Sequence, residues 1–99
     1  MERITFMDDK LLPTHYSLEI CENSLANTPT LIFESSTPIG TFNVGDYYNH
    51  RNFDGWLKRP NTENEKFVIT QVEHIVWKID GSYIGHKTMI CLKIVPYTW

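Results

Sequence analysis

Phe67-Val68-Ile69-Thr70-Gln71-Val72-Glu73-His74-Ile75-Val76-Trp77-Lys78-Ile79, followed after Asp80-Gly81-Ser82 by Tyr83-Ile84-Gly85-His86-Lys87-Thr88-Met89-Ile90-Cys91-Leu92-Lys93-Ile94-Val95, is the stretch on which the fold turns. Both runs are dense in β-branched and aromatic residues, which fit a pleated, half-buried surface. Asp80-Gly81 suits the positive φ of a tight turn, so the two runs are predicted to pair as a long antiparallel hairpin.

The first run breaks its own alternation. Phe67 and Ile69 are apolar at odd positions, Gln71 and Glu73 are polar at the same parity, and Ile75, Trp77 and Ile79 return to apolar, while Val72 sits on the other parity. A strand with one fixed face misplaces part of that set, so a bulge or sharp coil is expected between Thr70 and His74, bending the strand as at a barrel corner. In the second run Ile84, Ile90, Leu92 and Ile94 share a face, with Lys87, Met89, Cys91 and Lys93 on the other.

The turn leaves two registers open. A two-residue type I′ turn sets Ile79 opposite Ser82, Trp77 opposite Ile84 and His74 opposite Lys87. A type I turn with a bulge at Gly81 sets His74 opposite His86.

Outward from the hairpin, His15 to Glu22 alternates most cleanly, with Tyr16, Leu18 and Ile20 on one face. Thr30 to Glu34 reads as the next strand, and Met1 to Phe6 as a short edge strand or frayed end. Val44-Gly45-Asp46 is expected to reverse or kink the chain ahead of Tyr47-Tyr48. Asn49 to Glu65 has no periodicity and only Phe53, Trp56 and Leu57 as apolar anchors, which is long for a loop in a compact domain. A single helical turn capped by Asp54 and ended by Pro60 is expected inside it. The tail from Pro96 to Trp99 is expected to fold back onto the barrel. The expectation is one domain over residues 1–99, all-β: a small, strongly bent antiparallel β-barrel of SH3-like or PUA-like size, with five to six strands and one long loop. Too few strands are present for a seven-stranded sandwich.

Composition bounds the function. An apolar share of 41% over 99 residues excludes disorder, and a net charge of −3 gives no global pull toward nucleic acid or an anionic membrane. Cys21 and Cys91 sit inside apolar runs without a Cys-x-x-Cys pair and are expected to be buried thiols. No stretch reads as a signal peptide or membrane span, so a cytoplasmic setting is expected.

No nucleophile elbow, phosphate loop, zinc-protease helix or dinucleotide turn is present, so no catalytic residue is assigned and no cofactor is expected. His74 and His86 are the weak metal candidates, short of the three or four ligands that a zinc site uses. The binding candidates are Arg51, Phe53, Trp56, Lys58 and Arg59 with Tyr47 and Tyr48, where cations interleave with rings. Such a mixture grips a protein or peptide, the leading expectation, or stacks single-stranded RNA while neutralising phosphate. A small enzyme or metal-binding barrel using His74 and His86 is the third reading. Against all of these, Phe53 and Trp56 also suffice to pin a long loop to the core. The molecule is expected as a monomer or homodimer.

The order Phe42-Asn43-Val44-Gly45-Asp46, a polar loop, Phe67 to Val72 and a last strand resembles the core of PUA-like and ASCH-type small barrels over about half of the chain. That resemblance implies RNA or nucleotide binding through a basic cleft, for which the sequence offers a basic cluster only between positions 51 and 66.

Overall fold

The computed structural model describes residues 11–97. Its strands are β1 (Thr14–Glu22), β2 (Leu31–Ser35), β3 (Tyr47–Tyr48), β4 (Glu65–Ile79) and β5 (Tyr83–Pro96). They form one sheet in the order β2-β1-β5-β4-β3, which curls through 241° into a half-barrel, and no helix occurs among the described residues. The edge strand read over Met1 to Phe6, and Thr98 and Trp99 of the tail, lie outside the described residues.

The concave face carries the core. Leu18 and Ile20 of β1, Phe67 and Ile69 of β4, and Ile90 and Leu92 of β5 are buried together, with Leu31, Phe33, Phe42, Tyr48, Trp56, Val72 and Ile94 packed around them. Each fully buried Leu or Ile contributes on the order of 1.5–3 kcal/mol, so this small cluster supplies most of what holds the sheet curled. The alternations of β1 and β5 aim these side chains as their parity requires. Cys21 and Cys91 are in register on neighbouring strands, fully buried and unbridged.

The parity break in β4 is a bulge. Pairing with β5 shifts between Ile69 and Gln71, leaving Thr70 as the extra residue with its hydroxyl donating to the Cys91 carbonyl at 3.3 Å. Before it Phe67 and Ile69 face the core; beyond it Val72 does. One inserted residue keeps the apolar set on the concave side while the strand bends.

Four expectations are corrected. The sheet is mixed rather than purely antiparallel, because β1 pairs with β5 in parallel, Thr14 opposite Ile84 through Glu22 opposite Leu92. Alternation identifies the buried face but not the neighbour or its direction, and β2, β3 and β4 together supply the crossover that a parallel pair needs. The barrel is open, so β2 and the β3–β4 side remain as edges. The helical turn at Asp54 to Lys58 does not form: the Leu57 and Lys58 N–H groups donate to Glu22, and Asp54 pairs with Arg59. Finally, the hairpin adopts neither expected register. Ile79 pairs with Tyr83 around a turn closed by Ser82 N–H to the Ile79 carbonyl at 3.0 Å, with φ positive at Gly81 (73°) and not at Asp80. One positive φ at the third turn position is the type II pattern, which Asp-Gly also satisfies.

The remaining turns follow the sequence. Asp46 N–H donates to the Asn43 carbonyl and its carboxylate accepts from Asn43 N–H, both at 3.1 Å, reversing the chain at Val44-Gly45 just before β3. Tyr97 N–H donates to the Asn64 carbonyl at 2.8 Å, so that part of the tail does fold back.

Candidate interaction surface

Residues 49–65 are held down from below. Glu22 continues the core parity of β1 and is 4% exposed; its carboxylate accepts from the N–H groups of Leu57 (2.9 Å) and Lys58 (3.3 Å) and from the Thr30 hydroxyl (2.5 Å). A buried carboxylate is tolerable when such donors satisfy it. Beside this anchor Trp56 packs on Phe67 with ring centroids 4.8 Å apart, Phe53 stands edge-on to Trp56 at 4.9 Å, and His50 lies between them and Phe33.

The seven binding candidates therefore divide. Phe53 and Trp56 are half-buried in this cluster, Trp56 packed against the core and Phe53 against Trp56. Tyr48 is also half-buried; its hydroxyl meets His50 Nδ1 at 3.0 Å, and burial pushes its pKa up to about 12. Tyr47 is exposed and edge-on to Tyr97 at 5.1 Å. Arg51 and Lys58 reach solvent with no ion pair among the described residues, whereas Arg59 is paired with Asp54. The rings and cations of this loop thus point to different tasks.

His74 and His86 do share a face. The register sets His74 opposite Thr88 and Val76 opposite His86, making the imidazoles diagonal neighbours with Nδ1 of His74 and Nε2 of His86 3.0 Å apart. The Thr88 hydroxyl lies 3.3 Å from the same His74 nitrogen. Two imidazoles are only two ligands, and among the described residues no group of three or more His, Cys, Asp or Glu is placed to hold a metal. The adjoining cavity, between Tyr16, Pro38, Phe42 and His86, is about 40 Å³, far below the ~300–1,000 Å³ of a small-molecule site.

The convex face is wider and shallower. A groove of about 620 Å³ runs over it, where His15 stacks on Tyr83 at 4.5 Å and Lys87 bridges to Glu19 at 3.1 Å. Burial, and then the neighbouring Glu19 and Cys91, push the Cys21 thiol pKa up, which keeps it an unreactive thiol.

The remaining feature is an edge. β3 covers β4 only at Phe67 and Val68, and Ile69 exchanges backbone bonds with Gly45 and Asp46. From Gln71 to Ile79 the outer side of β4 has no strand beside it among the described residues. The ladder dictates which groups this edge presents. Ile84 N–H donates toward β1, to the Pro13 carbonyl at 2.9 Å, so even residues of β5 bond to β1 and odd ones to β4. Their β4 partners Gln71, Glu73, Ile75, Trp77 and Ile79 are odd, which turns the N–H and C=O of Val72, His74, Val76 and Lys78 outward. Side chains along the run are also open, with Ile75 40%, Val76 63% and Ile79 46% exposed.

Neither Glu22 nor this edge was among the candidates read from the sequence. Glu22 was legible as the continuation of the Tyr16, Leu18, Ile20 parity; the free edge was not, because strand order is not encoded in alternation.

These features define an all-β half-barrel whose edges among the described residues are β2 and, from Gln71 to Ile79, the outer side of β4. Comparison with protein-family models, with curated proteins and with solved structures finds no match to this chain.

Proposed function

We propose that this chain is a protein-recognition module that takes up an extended segment of a partner along the outer edge of β4, between Val72 and Lys78. The observation that carries the reading is that edge. It is a long strand whose outward backbone groups have no strand partner among the described residues, with solvent-exposed Ile75, Val76 and Ile79 and without the proline or shortness that usually blunts an edge. Backbone pairing supplies affinity in such complexes, and alternate side chains supply selectivity. A protein partner rather than RNA fits the net charge of −3 and the pairing of Arg59 with Asp54. Tyr47 of β3 and Arg51 and Lys58 of the loop are the exposed candidates that a larger partner would also touch. A cytoplasmic setting fits two buried, unbridged thiols in register on neighbouring strands, since a reducing compartment keeps them so.

The test is a photo-crosslinking side chain at Val76 and, separately, at Arg51, in host cells. Recognition at the edge gives a protein adduct from position 76. Adducts from position 51 with none from 76 would move the surface to the loop and reject the edge.

A further inference from the structure

We infer that the strand taken up by β4 belongs to a second copy of this chain, paired antiparallel about a two-fold axis at Ile75. This rests on the reading that the β4 edge is the recognition surface and names its occupant.

A symmetric antiparallel pair must set outward-facing residues against outward-facing residues, so the axis passes through a residue or its own mate, and each choice fixes every cross-strand neighbour. An axis at Glu73 sets that carboxylate against itself. An axis at His74 sets imidazole against imidazole, and one at Val76 sets His74 against Lys78. An axis at Trp77 leaves only Ile75 to Ile79 overlapped. With the axis at Ile75, the midpoint of the free run from Gln71 to Ile79, the whole run is used.

The neighbours are then Val72 with Lys78, Glu73 with Trp77, His74 with Val76, Gln71 with Ile79, and Ile75 with itself. No like charges oppose one another. Val72–Lys78 and His74–Val76, with their symmetry mates, each exchange two N–H···O=C bonds, which occupies every outward group of the edge. On the convex face Ile75 meets Ile75, and on the concave face the Lys78 stem covers Val72. The apolar side chains left open on this run of β4, Ile75, Val76, Trp77 and Ile79, are covered by this register, whereas Ile32, Val44 and Leu57 stay open elsewhere on the surface. The edge thus complements itself without borrowed charge or shape, as an isologous interface requires.

Sedimentation equilibrium of the wild-type chain measures the mass, and Ile75→Cys and Ile79→Cys variants, mildly oxidised, measure the register. Cys21 and Cys91 are fully buried and stay out of the reaction. The expected result is a mass of about twice 11.6 kDa, rapid covalent dimer from Ile75→Cys, and at least tenfold less from Ile79→Cys, whose partner position is Gln71. Val76→Pro removes one outward N–H and none of the β4–β5 ladder bonds, so it is expected to return the mass to that of one chain while the β circular-dichroism signal persists. A wild-type chain that stays at 11.6 kDa through 100 μM-order concentrations, or an Ile75→Cys variant that does not cross-link in a dimer, overturns the proposal. If the chain is monomeric and position 76 still cross-links to a different host protein, the edge reading stands and the second copy is rejected. If position 76 yields no adduct at all, both fall.

Discussion

Glu22 is a buried acid held by backbone rather than by a cation. Among the described residues its carboxylate meets Leu57 N–H, Lys58 N–H and the Thr30 hydroxyl and no Lys or Arg, and its own carbonyl accepts from the Asn27 side chain at 2.8 Å. The residue therefore links β1 to two loops at once. It also sets the fate of Asp54 to Lys58, since the N–H groups that would open a helical turn are turned toward it. Removing the carboxylate leaves Leu57 and Lys58 N–H without their acceptor and loosens Trp56, so Glu22→Ala is expected to cost about 1–3 kcal/mol. In a chain of this size that lowers Tm by roughly 4–8 °C per kcal/mol, readable by thermal unfolding. Glu22→Gln keeps one carbonyl oxygen for the loop and should lose less. Unchanged Tm and unchanged exchange of the Leu57 and Lys58 amides in Glu22→Ala would assign the loop's hold to Trp56 on Phe67 alone.

At the scale of elements, the β4–β5 hairpin depends on its turn. Gly81 alone carries the positive φ, and the resulting three-residue connection moves Trp77 from its expected neighbour Ile84 to Gly85. That pairing works because Gly85 has no side chain: a Cβ there would lie 2.1 Å from Cε2 and Cζ2 of Trp77. Gly85→Ala must therefore displace the indole. Because Trp77 is on the convex face and already partly exposed, the ring swings out rather than forcing the strands apart, at a cost of about 1 kcal/mol. The measurement is the indole N–H resonance of Trp77, expected to shift toward its solvent-exposed position; an unmoved resonance with an intact fold would mean that the backbone yields instead. The same element shows what the sequence makes legible. The bulge follows from Val72 falling on the wrong parity, and the strands β1, β4 and β5 follow from alternation. The register does not, because Asp-Gly satisfies several turn types and one residue of slip flips every pairing. The loop is a similar case: the mixture of rings and cations is visible between Arg51 and Arg59, but that Trp56 packs on Phe67 and Phe53 on Trp56, beside the Glu22 anchor, involves residues far away in sequence. The facing of His74 and His86 was likewise undecidable before the turn was known.

Across the whole molecule the central pairing is the least local one. β5 is flanked by β1, which precedes it by most of the chain, and by β4, which adjoins it. The buried core spans only the end of the sheet where β1, β5 and the first part of β4 meet, from Leu18 and Ile20 across Ile90 and Leu92 to Phe67 and Ile69. Beyond the bulge, β4 runs on as the edge, with Val76 and Ile79 exposed and, among the described residues, only β5 beside it. Stability should therefore be graded along the strands rather than shared evenly, since the amides that resist opening longest are those under the most buried apolar surface. Hydrogen exchange of a dilute sample is expected to be slowest at the core-end ladder positions, Ile90 to Leu92 and their β1 partners Ile20 to Glu22. It should be faster at Glu73 to Ile79 and fastest at the outward amides of Val72, His74, Val76 and Lys78. The alternation itself is the decisive readout: in a lone edge strand, odd amides of β4 exchange through opening of the hairpin, and even ones exchange directly with water. Uniform protection from Gln71 to Ile79 at every dilution would show that another segment covers the edge, and the surface argued for recognition would then already be spent within the chain.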